Sequence, residues 1–162
     1  MDNSTKQQGS EGHIEHESHH WQTQAWVYFV WIAFGSRVYC KIGYSTNSAS
    51  RFAQIATGFP ERPYRIHLLP CLSAEQAKVV ESIPHDHAAQ YKTRGEWFSH
   101  ANVTYLDKVL VSKVKQIMLL FRSFGYEVSV KTIHLDGPKP ILNSRGYVSQ
   151  VMAVDAAKED IQ

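Results

Sequence analysis

An α/β fold with a small central antiparallel sheet flanked by helices, extended by a C-terminal helix and strand, is predicted by three features of the 162-residue chain. Two dense runs of β-branched and aromatic residues, Trp26 to Ile32 and Arg37 to Gly43, flank a Gly35-Ser36 turn and read as a hairpin of buried strands. The segments after them place apolar residues at helical spacing behind good capping residues. Between Thr104 and Phe124, the residues Leu106, Leu110, Val114, Ile117, Phe121 and Phe124 recur with the period of an amphipathic helix.

The elements follow in order. Residues 1–25 are rich in Gln, Ser, Gly, Glu and His, and such a segment buries too little apolar surface to offset its ordering entropy, so a disordered tail is expected. Its histidines His13, His16, His19 and His20 read as part of that polar tail rather than as a metal site. After the hairpin, Ser45, Thr46 and Asn47 are candidate N-caps for a short helix that carries Arg51. Phe52, Ile55 and Ala56 share one face of it, and Gly58 and Pro60 should stop it. Tyr64 to Leu69 reads as a third strand. Ser73-Ala-Glu-Gln76 is a capping box opening a helix that contains Ala77, Val80 and Glu81, and Pro84 should end or kink this helix near Ile83. Gly95-Glu96-Trp97-Phe98 returns the chain to the core, with Trp97 and Phe98 read as packing residues rather than base-stacking groups and Glu96 as a surface turn residue rather than a metal-site carboxylate. Gly125 stops the long helix, Tyr126 to Ile133 alternates as a half-exposed strand, and residues 137–162 read as a flexible tail.

Charge is distributed unevenly. Residues 26–150 hold fifteen Lys and Arg against eight Asp and Glu, while both tails are net acidic, and a basic core of this kind suits a polyanion. The apolar run from Trp26 to Phe34 falls far short of the roughly 20 residues needed to cross a bilayer, so no membrane partner is expected. The N-terminus lacks a cationic region followed by an apolar stretch, and a cytoplasmic location is the expectation. Cys40 and Cys71 lack metal-ligand spacing and read as free buried thiols. Oligomeric state is not legible.

One ordered set of residues carries chemistry. Val27-Tyr28 on the first strand, Lys41-Ile42-Gly43 on the second, Ser45, Arg51 on the next helix and Glu81 on the one after resemble the GIY-YIG nuclease superfamily, as does Gly95-Glu96-Trp97-Phe98 for one of its branches. The resemblance covers residues 26–104, with residues 105–136 as a helix and strand extension. Trp26 stands where the first motif has glycine. Lys41 stands where the second has tyrosine, as in some members, and Gln54 and Ile55 stand where many members have a histidine.

The resemblance implies a metal-dependent endonuclease acting on DNA, with Tyr28, Lys41, Arg51 and Glu81 as catalytic residues and Glu81 as ligand of Mg²⁺ or Mn²⁺. The residue types suit phosphodiester hydrolysis. A carboxylate is a hard ligand for such ions, a guanidinium presents a fork of donors to phosphate oxygens, and a phenol can serve as general base if a cation lowers its pKa from about 10. Lys41 on the neighbouring strand is the expected cation. Gly43, Ser45 and His85 are candidate substrate contacts, His85 lying one helical turn after Glu81 but beside Pro84. Lys108, Lys115 and Arg122 form a further basic face that could follow a DNA backbone. A non-catalytic nucleic-acid-binding module, and an interaction protein with an idle nuclease fold, are the competing readings.

Overall fold

The computed structural model describes residues 22–57, 61–126 and 128–152. Eleven chain segments matter here: β1 (Ala25–Phe34), β2 (Arg37–Ser45), α1 (Ser48–Thr57), β3 (Arg65–Cys71), α2 (Ala74–His87), a 3₁₀ turn (Ala89–Tyr91), β4 (Trp97–His100), α3 (Val103–Ser123), β5 (Lys131–His134), β6 (Lys139–Leu142) and β7 (Val148–Met152). The first five strands form an antiparallel sheet in the order β4-β2-β1-β3-β5, and β6 pairs with β7 alone. The expected small antiparallel sheet flanked by helices is therefore the fold.

β1 is apolar throughout because both its faces are covered. Val27, Phe29, Trp31 and Ala33 join Val80 of α2 and Leu106, Leu110, Val114, Ile117 and Phe121 of α3 in one core, whereas Tyr28 and Val30 pack with Ile55 of α1 and with Ile66 and Leu68 of β3. The sheet thus separates α2 and α3 from α1, and a residue's parity along β1 decides which layer it meets. Gly35 turns the hairpin with φ of +59°, a conformation that glycine adopts without a Cβ penalty. Cys40 and Cys71 are free and buried, as expected. No helix among the described residues is long and apolar enough to cross a membrane.

Several boundaries differ from the sequence expectation. Helix α2 does not end near Ile83 but continues through Pro84 to His87, and the Ala88 amide still closes onto the Pro84 carbonyl at 2.9 Å. Pro84 removes one donor only a few residues from the helix end, and its ring is fully buried, so packing offsets the lost bond. The Ser73 hydroxyl accepts from the Gln76 amide as a capping box requires, but the Gln76 side chain reaches Leu72 N at 2.6 Å, one residue before the cap. Phe124 is 68% exposed and caps α3 instead of extending its apolar stripe.

The strand expected over Tyr126 to Ile133 is confined to β5, which pairs with Arg65–Leu68 of β3. The ladder ends short of Pro70, a residue with no amide to offer. Val128 and Val130 pack on the core without joining a strand. Residues 137–152, expected to be a flexible tail, instead fold into the β6-β7 hairpin, fastened to the start of α3 by Val103 N to Gly146 O at 2.9 Å and Asn102 Nδ2 to Arg145 O at 2.9 Å. The N-terminal histidines, the stop signals Gly58 and Pro60, and residues 153–162 lie outside the described residues, as do the side chains of Phe52 and Ala56.

Candidate active site

Tyr28 sits on the central strand with no solvent exposure, directly across from Gly43 of β2. Its ring lies over that glycine. A Cβ at position 43 would fall 2.6 Å from Tyr28 Cζ and would overlap the hydroxyl oxygen, so glycine is needed here for close approach.

Helix α1 brings Arg51 over the same face. Its first turn is fixed by Asn47, whose Oδ1 accepts from Ser50 N at 3.1 Å and whose carbonyl accepts from Arg51 N at 3.2 Å. Ser45 Oγ donates to Asn47 O at 2.8 Å and accepts from Asn47 N at 3.0 Å, so this hydroxyl, a candidate substrate contact, is engaged in the strand-to-helix turn. Asn47→Ala is expected to cost about 1 kcal/mol of stability, the usual worth of an N-cap. Urea unfolding checks this, and an unchanged midpoint would show that the cap contributes nothing.

All three nitrogens of the Arg51 guanidinium are directed. Nε donates to Tyr28 Oη at 2.9 Å, Nη1 donates to Gln54 Oε1 at 3.2 Å, and Nη2 lies 3.6 Å from Glu96 Oε2. Burial pushes the Tyr28 phenol above its ordinary value, against the hydrogen bond and charge of Arg51 that pull it down, and the charges of Glu96 and Glu81 add to the rise. The hydrogen bond to Tyr28 in turn holds Arg51 above its usual value.

The cation hydrogen-bonded to the Tyr28 hydroxyl is Arg51, where the sequence pointed to Lys41. Lys41 pairs in register with Val30, not Tyr28, and its Nζ contacts Glu96 Oε2 at 2.9 Å while lying 5.4 Å from the centre of the Trp97 ring. Lys41, Arg51, Gln54, Ile55 and Trp97 line an open cleft of about 240 Å³.

Glu81 and His85 stand one turn apart on α2 with His85 Nε2 3.5 Å from Glu81 Oε1, so Pro84 does not spoil their alignment. His85 Nε2 also lies 3.3 Å from the carbonyl oxygen of Ile42, beside Gly43, and its ring meets Phe98 edge-on at 5.0 Å. These contacts hold the flank of α2 against the end of β2 and bring the Glu81 charge within electrostatic reach of Tyr28. Among the described residues no group of three or more His, Cys, Asp or Glu converges. The donor set available to a cation is Glu81, 16% exposed in its side chain, with His85 beside it. A lone hard carboxylate fits Mg²⁺ or Mn²⁺, which keep several waters and also take phosphate oxygens.

Tyr28, Lys41, Gly43, Arg51, Glu81 and His85 are therefore gathered around one end of β1 and β2. Lys108, Lys115 and Arg122 are not. They are exposed on α3, which packs on the sheet face opposite Tyr28 and α1. The residue that sequence reasoning placed at the surface and the structure places in the site is Glu96, the shared neighbour of Lys41 and Arg51. Trp97 lines the cleft beside Lys41 and Arg51, whereas Phe98 is core with no exposure.

Neither a curated protein nor a solved structure matches the chain. The family model of the T5orf172 domain matches residues 25–120, more than half of the sequence and all of the site just described, so the chain belongs to this nuclease-related family of nuclease-like or DNA-binding modules.

Proposed function

We propose that the protein is a metal-dependent DNA endonuclease of the GIY-YIG type, with residues 26–104 as its catalytic unit. The observation that carries this reading is the 2.9 Å bond from Arg51 Nε to Tyr28 Oη beside a cleft that also presents Lys41. Hydrolysis of a phosphodiester needs a proton acceptor for the attacking water and a counter-charge for the phosphoryl oxygens in the transition state. Tyr28 Oη is the acceptor; burial holds its phenol above the ordinary value, and the hydrogen bond and charge of Arg51 offset part of that rise in favour of the phenolate. Arg51 and Lys41 neutralise the charge that builds on the non-bridging oxygens.

Glu81 would hold Mg²⁺ or Mn²⁺, with His85 orienting its carboxylate. Such an ion supplies polarisation of the phosphoryl oxygen and a more acidic water. Every other contribution above belongs to the chain's own side chains.

A non-catalytic DNA-binding module is the second reading, favoured by the upward push of burial on Tyr28, which keeps the phenol protonated at neutral pH. The two separate on incubation of the purified protein with single-stranded, duplex and branched DNA in Mg²⁺ or Mn²⁺, beside Glu81→Ala. Cleavage by the wild type and its loss in the variant is the expected result. Equal cleavage by both, or none by either, sinks the enzyme reading, and salt-sensitive binding without cleavage supports the module.

A further inference from the structure

Glu96 rides on a tight turn before the edge strand β4, where Thr93 N bonds Trp97 O at 2.9 Å and Trp97 N bonds Arg94 O at 3.1 Å around Gly95 at φ +59°. From there it sends one oxygen, Oε2, between the two cations of the cleft, 2.9 Å from Lys41 Nζ and 3.6 Å from Arg51 Nη2. We propose that the Glu96 carboxylate is an internal stand-in for the substrate phosphate, neutralising the Lys41–Arg51 clamp until a phosphodiester displaces it. This rests on the nucleic-acid reading of the site and adds to it the residue that sets the threshold for entry.

Geometry favours a displaceable occupant over a fixed brace. A single oxygen satisfies Lys41 but reaches Arg51 only at 3.6 Å, beyond hydrogen-bond distance. A phosphodiester carries the same single negative charge on two non-bridging oxygens, so it can give Lys41 and Arg51 an acceptor each. The exchange conserves charge in the cleft.

The contrast in exposure points the same way. The Glu96 side chain is 39% exposed and the Lys41 side chain 16%, so the anion can move into water at small cost while the lysine stays in place over Trp97. Arg51 is also held by Tyr28 and Gln54 through Nε and Nη1, nitrogens other than the one that faces Glu96. Displacement therefore leaves the clamp assembled. Weak or badly placed anions fail to repay the Glu96 contact, so entry favours an anion that engages both cations together.

The test is binding of a short duplex oligonucleotide, with EDTA present so that no cleavage occurs, to wild type, Glu96→Gln, Lys41→Met and the double variant, each checked for native circular dichroism. Glu96→Gln should bind about fivefold tighter, the scale of one partly exposed ion pair, and most of that gain should vanish in the Lys41→Met background. Glu96→Ser, which keeps the turn but removes the carboxylate, should shift binding in the same direction. If the wild type binds and Glu96→Gln binds equally or more weakly, Glu96 is only a brace for the two cations and the proposal is overturned while the nucleic-acid reading stands. If neither binds, the nucleic-acid reading fails and the proposal with it.

Discussion

Tyr28→Phe is expected to lower DNA cleavage by about two to four orders of magnitude, the range for loss of a general base, while leaving the fold and DNA binding nearly intact. The substitution removes one oxygen from a ring that stays buried on the central strand, so the packing with Val30, Ile55 and Leu68 survives. What is lost is the acceptor of the Arg51 Nε bond and the group that takes the proton. The pH dependence has a definite sign. Burial raises the Tyr28 value, so the phenolate fraction grows about tenfold per pH unit below it, and the wild-type rate should climb from neutral pH into the ordinary tyrosine range without a plateau. Rates measured against pH decide the matter. A wild-type profile flat above neutrality, or a Phe variant of equal rate, would remove Tyr28 from the chemistry.

Gly43→Ala should destabilise the protein by about 3 kcal/mol and abolish whatever activity the site has, through one methyl group. The new Cβ collides with the Tyr28 hydroxyl and Cζ, and the ring cannot withdraw because it is enclosed between β2, β3 and α1. Denaturant unfolding of Gly43→Ala, Tyr28→Ala and the double variant tests the mechanism. Once the ring is gone the collision is gone, so Gly43→Ala should cost little in the Tyr28→Ala background. Full additivity would mean that the strain lies elsewhere.

Much of this architecture was legible in the residues. Buried strands announce themselves through continuous β-branched and aromatic runs, and β1 does so because both its faces meet protein, whereas β2 alternates buried residues with the half-buried Tyr39 and Lys41. The stripe from Leu106 to Phe121 has only one packed face and therefore shows its period. Tertiary context set the rest. Pro84 breaks a helix in isolation, but here its ring fills the core. The β6-β7 hairpin looked like a tail because its strands are short and mostly exposed, and what orders them is the junction with Asn102 and Val103 rather than their own composition.

The site divided in the same way. Tyr28, Arg51 and Glu81 could be marked by their order on successive elements, since each sits on an element the pattern identifies. Glu96 read first as a surface turn residue, because its contacts depend on the register that sets Trp97 against Lys41 across β4 and β2. The placement of the basic residues of α3 relative to Tyr28 was not legible for a related reason. Helical spacing shows which residues share a face, but not on which side of the sheet that face is laid.

The position of the site's parts within the sheet has a dynamic consequence. Tyr28 belongs to the central strand, flanked by β2 and β3, whereas Glu96 enters from the turn before the edge strand β4, where its carbonyl accepts from Ile42 N at 3.1 Å. Central strands exchange their amides only when the whole domain opens, and edge turns open locally and often. The hydroxyl that would receive the proton is therefore carried by the strand last to open, while the carboxylate over the clamp is carried by a turn at the sheet's border.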